Sequence, residues 1–170
     1  MGLREVKSEL KKLDKEQLIK HIAELYKKYQ PVKEYFDFYV EPDEEKLLEK
    51  YKQKVHEAFF PKRGYRLKLG EARKAINDFK KLGPSAGHLS DLLLCYVENG
   101  VAFTNTYGDI DERFYISVEN TYGKALELMQ KNDLLKSFQH RAYRIVTDSD
   151  RIGWGFHDEL SDLYHQTFEA

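Results

Sequence analysis

Apolar residues recur at every third or fourth position along most of the chain, the spacing that collects them on one face of an α-helix. Stripes of this kind cover residues 3–13, 18–29, 35–39, 47–59, 72–82, 89–97, 114–129, 134–146 and 156–168. Residues 61–70 contain proline and glycine and are predicted to be an irregular connector, because one short strand there would have no partner strand. No motif returns at a fixed period, so a regular repeat array is not indicated. The pattern predicts an all-α fold, an irregular bundle or short superhelix of eight or nine stacked helices.

Capping and helix-breaking residues divide these stripes. Asp14 and Ser85 are typical N-caps, since their short side chains can accept hydrogen bonds from the first free backbone N–H groups. Pro31 suits the first turn of a helix, where its missing N–H is not needed. Gly83 and Pro84 end the helix that precedes Ser85.

Three further features concern the second half of the chain. The stripe at 89–97 is apolar nearly all round, which predicts the central and most buried helix. Residues 101–111 carry turn-forming residues and are predicted to be a loop, with Asp109 as an N-cap and Glu112 completing a capping box. Gly123 lies inside the next helix and is predicted to mark a close helix contact, because a helical glycine costs about 1 kcal/mol relative to alanine.

Composition supports one folded domain over residues 1–170, in which residues 1–30 form a loosely packed helical hairpin. Hydrophobic residues make up 41% of the 170, which is enough for a core. The 28 Lys and Arg residues nearly cancel the 29 Asp and Glu residues. This balance counts against a dedicated nucleic-acid binder, which would carry a net positive charge.

The cysteine content and the N-terminal residues point to a reducing, cytoplasmic setting. The single cysteine, Cys95, cannot form an intramolecular disulfide and lies in an apolar run over residues 92–97. A buried structural thiol is therefore expected there, because free cysteine is among the most buried residue types. No apolar leader occurs near the N-terminus, so no signal peptide is expected. The longest apolar run is far shorter than the ~20 residues of a membrane-spanning helix, so no membrane partner is predicted.

The first candidate site lies in the sequence IGWGFHD at residues 152–158. It places the only tryptophan, Trp154, between two glycines and just before a predicted helix. His157 and Asp158 fall in the first turn of that helix, where free N–H groups favour anions. The alternative is a tight turn whose Trp154 fills the core, and on that interpretation the indole is buried and its N–H has a partner.

The second candidate site lies in the sequence FTNTYGDID at residues 103–111, with Asn105, Tyr107, Asp109 and Asp111 as its polar and aromatic members. If the helices that follow the two segments start at the same end of the bundle, the carboxylates and His157 would form one site. A metal-assisted hydrolase is the corresponding functional hypothesis. Helix capping is the structural alternative, because the spacing does not fit an EF-hand loop.

A basic tract over residues 62–81 is the candidate for phosphate contacts. Its cations are Lys62, Arg63, Arg66, Lys68, Arg73, Lys74, Lys80 and Lys81. Residues 44–81 carry twelve Lys or Arg and six Asp or Glu, whereas residues 109–170 carry seven and twelve. Such asymmetry can steer a partner, although two ordinary solvated faces would give the same pattern.

Three phrases resemble an uncharacterised bacterial family of unknown function: ARKAINDFKKLGPS at 72–85, FTNTYGDID at 103–111 and IGWGFHD at 152–158. The resemblance covers nearly the whole chain and implies a small cytosolic bacterial protein. It assigns no chemistry and no catalytic residue.

The functional hypothesis that the sequence favours is a non-catalytic, cytosolic protein-interaction module that binds another protein or itself. No nucleotide-binding, nucleophile-elbow or zinc-binding motif is present, and no metal or cofactor is predicted. The metal-assisted hydrolase and a nucleic-acid binder acting through the basic tract are the alternatives.

Overall fold

A computed structural model describes residues 2–63 and 66–169, and over these ranges the chain forms nine α-helices and no strand. The helices are α1 (Leu3–Leu10), α2 (Lys15–Lys28), α3 (Gln30–Val40), α4 (Glu44–Phe59), α5 (Leu69–Lys81), α6 (Ala86–Tyr107), α7 (Glu112–Lys131), α8 (Leu135–Asp148) and α9 (Phe156–Phe168). The all-α prediction is confirmed. Within the predicted connector 61–70, residues 64 and 65 lie outside the described part, and residues 66–68 have no regular structure.

The chain divides into two units, an N-terminal unit over Met1–Asp43 and a second unit over Glu44–Ala170. In the N-terminal unit α2 contacts α3, and the Tyr26 hydroxyl donates a hydrogen bond to Asp37 Oδ1 at 2.5 Å. None of its described residues is buried. The single domain with a loose hairpin at 1–30 stays a prediction.

The core of the second unit is built around α6, which contacts α4, α5, α7 and α8. Its residues from Leu92 to Val97 are all buried, as expected for the central helix. Helices α7 and α9 run in the same direction: the Tyr115 and Phe156 ring centroids, near the two helix starts, are 5.1 Å apart, and Leu163 lies against Gly123 further along. The two helix N-termini therefore lie at one end of this unit.

The predicted helix starts at Asp14, Pro31 and Ser85 are confirmed, whereas α1 ends at Leu10 and not at Leu13. Asp14 Oδ1 accepts a hydrogen bond from the Gln17 N–H at 2.8 Å, and Ser85 Oγ accepts one from the His88 N–H at 3.4 Å. Pro31 lies in the first turn of α3. These boundaries were predictable because each depends on one residue and its immediate neighbours.

The predicted loop at 101–111 is wrong for most of its length, because α6 continues to Tyr107. Asn105 and Thr106 lie on the exposed side of the helix, whereas Thr104 is buried. Thr106 Oγ1 donates a hydrogen bond to the Ala102 carbonyl at 2.7 Å. The helix ends only at Gly108, whose φ of +86° favours glycine. The predicted capping box is also wrong, since Asp111 rather than Asp109 is the N-cap of α7.

The predicted close contact at Gly123 is wrong as well. A Cβ atom at Gly123 would meet only Leu163 side-chain atoms at 3.9 Å, which is ordinary van der Waals contact. The close approach is at Gly100 in α6, where a Cβ would lie 2.8 Å from Val118 Cγ2. A glycine in a helical pattern thus indicated the right kind of contact at the wrong position.

Candidate functional site

The two predicted site segments lie at the same end of the second unit. Phe156 packs on Tyr115, and the Tyr115 hydroxyl donates to Asp109 Oδ1 at 3.1 Å. Asn105 Nδ2 donates to the Asp148 carbonyl at 2.8 Å and so joins the end of α6 to the end of α8. The geometry therefore meets the condition under which the two segments were expected to share a site.

Most of the polar side chains at this end are engaged in structural hydrogen bonds. Asp111 accepts from the Phe114 N–H at 2.9 Å as the N-cap of α7. The Ser149 hydroxyl donates its one proton to the Val146 carbonyl, so His157 Nδ1, 3.1 Å from Ser149 Oγ, must be the donor to that oxygen. Within the described part of the chain, no group of three or more His, Cys, Asp or Glu side chains is placed to hold a metal ion.

Trp154 is exposed, so the prediction of a buried indole is wrong. Its relative exposure is 66%, and its φ of +62° is rare for a residue with a side chain. Ile152 and Phe156, on either side of it, are buried instead and anchor the turn in the core. Residues 153–155 are exposed between these two anchors, so Trp154, the largest side chain of the segment, lies in solvent.

A cavity of about 470 Å³ lies between the C-terminal halves of α6 and α8. It is lined by Glu98, Val101, Ala102, Asn105, Ile145, Thr147, Asp148, Asp150 and Arg151. Of the seven residues predicted from the two segments, Asn105 alone lines it. Tyr107 instead packs its ring against Phe103, with 4.8 Å between the centroids, and Asp158 is exposed. The binding role of the seven residues stays a prediction.

A charged cluster that the sequence analysis missed joins α4, α6 and α8. Arg141 Nη1 lies 2.6 Å from Asp91 Oδ1, and Arg141 Nε lies 2.6 Å from Glu98 Oε1. Lys52 Nζ lies 3.0 Å from Asp91 Oδ1. Lys52 Nζ also lies 3.2 Å from Oε1 of Glu49 in its own helix, so two cations face three carboxylates, and the cluster cross-links the three helices. Asp91 and Glu98, the two acidic residues of α6, lie seven residues apart on one face of the helix and were the signal for the cluster.

Burial and hydrogen bonding set the ionisation of this cluster and of the neighbouring cysteine. Burial alone would raise the pKa of Asp91, but hydrogen bonds and charges from Arg141 and Lys52 outweigh it and lower that pKa. Burial and the nearby Glu98 raise the pKa of the Cys95 thiol to about 11. The thiol is therefore protonated at neutral pH, in keeping with the buried structural cysteine that the sequence predicted.

The predicted basic tract does not form one surface. Lys62, Arg63, Lys68 and Lys74 line a cavity of about 700 Å³ on one side of α5, whereas Arg73 and Lys80 line another cavity on a different side. Arg66 is exposed and lines neither.

Acidic side chains neutralise part of the tract. Lys62 pairs with Glu57 at 2.7 Å, Lys68 with Glu71 at 3.2 Å, and Lys81 with Asp78 at 3.3 Å. The cations of the tract are therefore divided between two sides of α5 and are partly paired, and their role in phosphate contacts stays a prediction.

Comparison with known proteins identifies the family of the chain but assigns it no activity. None of the helices in the described part of the chain has both the length and the apolar character needed to cross a membrane. No curated protein and no solved structure matches the chain. The model of a family of unknown function, DUF6155, matches residues 1–169. The chain therefore belongs to the DUF6155 family, whose function is unknown.

Proposed function

We propose that this chain is a non-catalytic protein-interaction module whose N-terminal unit pairs with a second copy of the chain. One observation carries the proposal: the described residues of this unit include ten large hydrophobic side chains that are exposed and none that is buried. They are Leu3, Val6, Leu10, Ile19, Ile22, Leu25, Tyr29, Tyr35, Tyr39 and Val40.

The spacing of these side chains supports pairing between helices. Leu3, Val6 and Leu10 in α1, like Ile22, Leu25 and the C-cap residue Tyr29 of α2, follow the three-then-four spacing of a coiled-coil seam. Helices as short as α1 and α2 are marginal in water unless the apolar face packs on something. A unit of about 40 residues that contains no cysteine, and so no disulfide, commonly gains its stability by association.

The charge of the N-terminal unit favours a second copy of the chain, rather than an anionic membrane, as the surface that covers its apolar side chains. Residues 1–43 contain nine Lys or Arg and nine Asp or Glu, so two copies do not repel each other through net charge. Residues 3–28, which contain α1 and α2, carry eight Lys or Arg and five Asp or Glu, whereas an amphipathic helix that binds a membrane surface typically has a strongly cationic polar face.

Sedimentation of the full chain over a range of concentrations tests the proposal. We expect a monomer–dimer equilibrium that the double variant Ile19→Gln/Ile22→Gln abolishes. The matched control, Lys20→Gln/Glu24→Gln, changes the polar side of the same helix and keeps the net charge, so the dimer should persist. Thermal unfolding of the second unit should be the same in all three proteins, which separates loss of pairing from loss of folding.

Three results would overturn the proposal. A full chain that stays monomeric at every concentration has no self-pairing surface. A dimer that survives the Ile19/Ile22 change uses another surface. A monomer that sediments with vesicles of anionic phospholipid, and loses this with the Ile19/Ile22 change, would assign the apolar side chains to a membrane.

We further propose that the module works in the reducing cytoplasm of a bacterium. The protonated, buried Cys95 thiol supports this, because it is stable without a disulfide partner. Fractionation of cells that express a tagged chain tests the location, and recovery from the periplasm would contradict it.

A further inference from the structure

A groove in the second unit combines an apolar floor with a basic rim. It has a volume of about 430 Å³ and lies between α5 and α7, above the first half of α6. Its floor contains Ile76 from α5, Leu89 and Leu93 from α6, and Leu128 from α7. Leu89 and Leu128 are only half-buried, so part of the floor is open to solvent.

Cations stand on both sides of this floor. Arg73 and Lys80 come from α5, and Lys124 and Lys131 come from α7. The one acidic residue in the lining is Glu127, 3.6 Å from Lys131 Nζ. The described part of the chain places no carboxylate within ion-pair distance of Arg73, Lys80 or Lys124. The lining therefore has a net charge of +3, with three cations free to meet an incoming anion.

We infer that the groove between α5 and α7 binds an acidic amphipathic helix of a partner protein. The half-buried leucines fit the apolar face of such a helix, which recognises a groove through side chains at positions i, i+3, i+4 and i+7. The cations on the two walls fit carboxylates on its two flanks, and complementary charge of this kind speeds association and selects the partner. A nucleic acid would use the cations but would gain nothing from the leucine floor.

The groove belongs wholly to the second unit, so this inference does not depend on self-pairing of the N-terminal unit. Pairing through α1 and α2 is tested by sedimentation, whereas the groove is tested by binding of a peptide. Either can fail without the other.

A fluorescein-labelled synthetic peptide serves as the probe, with leucines at i, i+3, i+4 and i+7 and glutamates at most other positions. Fluorescence anisotropy with the full chain should show saturable binding that weakens as salt rises, because the contacting charges are solvent-exposed. The double variant Lys80→Glu/Lys124→Glu should weaken binding by about tenfold or more, since it replaces attraction with repulsion on both walls.

A matched control changes the net charge by the same amount but away from the groove. Lys136→Glu/Arg144→Glu alters two exposed cations of α8 that do not line the groove, and it should leave the affinity within about twofold. All the altered cations are exposed, so the variants should keep the circular dichroism spectrum of the parent. Leu128→Gln tests the floor and should weaken binding even at high salt, where the rim charges are screened.

The inference is overturned if the peptide does not bind, or if the Lys80/Lys124 variant binds it as well as the parent does. It is also overturned if a peptide with lysine in place of glutamate binds equally well, because the rim would then play no part. Saturable binding of laurate that displaces the acidic peptide with higher affinity would assign the groove to an acyl carboxylate instead.

Discussion

A side-chain carbon at Gly100 would lie only 2.8 Å from Cγ2 of Val118 and 3.1 Å from its Cγ1. Helices α6 and α7 can approach this closely because residue 100 has no side chain. Both residues are buried, so neither side of the contact can move into solvent. The contact fixes the spacing of α6 and α7, the two helices that the candidate segment at 103–111 joins.

Gly100→Ala should therefore destabilise the protein by about 1–3 kcal/mol, the usual cost of overpacking a core. Gly123→Ala is the matched control, because its new methyl group meets only Leu163 side-chain atoms at 3.9 Å. It should be neutral or stabilising by up to about 1 kcal/mol, the difference in helix propensity. Urea unfolding measures both changes, and equal effects of the two substitutions would contradict the assignment of the close contact.

Trp154→Ala should change the free energy of unfolding by less than about 0.5 kcal/mol, because the indole is mostly in solvent. Phe156→Ala, two residues away and fully buried, should cost about 3–5 kcal/mol. Trp154 is the only tryptophan, so the emission of the folded protein should resemble that of free indole in water and be quenched by iodide. Blue-shifted, protected emission would place Trp154 in the core after all.

Gly100, Gly123 and Trp154 show that contacts between distant parts of the chain could not be predicted from the sequence, whereas helix starts could. Helix starts at Asp14 and Ser85 were predictable, because a cap is a contact between neighbours in the chain. The close contact at Gly100 depends on Val118, which no local pattern pairs with it. The exposure of Trp154 follows from the left-handed backbone of its turn, whereas its residue type predicted burial.

The positions of the two candidate segments at one end of the second unit were predictable, but the contacts of their side chains were not. The helical repeat was enough to suggest that α7 and α9 start at one end. It could not indicate that Asp109 would bond Tyr115, that Asp111 would cap α7 and that His157 would bond Ser149. The Asp91–Arg141 pair was missed because its partners are fifty residues apart in the chain.

Arg141→Met should destabilise the protein by about 2 kcal/mol, since it leaves Asp91 and Glu98 partly buried without their main partner. The figure is below that for a fully buried pair because solvent reaches the cluster and screens it. Arg144→Met on the same helix is the control, as Arg144 is exposed and should have almost no effect. Equal stability of the two variants would show that the cluster contributes nothing.

The same pair predicts how stability depends on pH. The pKa of Asp91 is lower in the folded protein than in the unfolded chain, so its contribution is present above the unfolded value of about 3.9. That contribution is lost as the pH falls through the lower, folded pKa. The stability difference between the parent and Arg141→Met should therefore be largest at neutral pH and shrink in acid. Urea unfolding at neutral pH and near pH 3 measures it, and a difference independent of pH would remove Asp91 from the explanation.

Cys95 should resist thiol reagents in the folded protein and react once the protein unfolds. With a pKa of about 11, only about one thiol in a thousand is ionised at pH 8, against about a quarter for an ordinary cysteine. Burial also limits the access of reagents to the thiol, since the residue is only 9% exposed.

Ser137→Cys supplies the matched control, an exposed thiol on α8 in the same molecule. A disulfide reagent at pH 8 should modify one thiol of this variant quickly and the second only at the rate of unfolding. Two thiols that react at the same rate in the folded protein would mean that Cys95 is accessible and ionised, and would reopen the possibility of a nucleophile in α6.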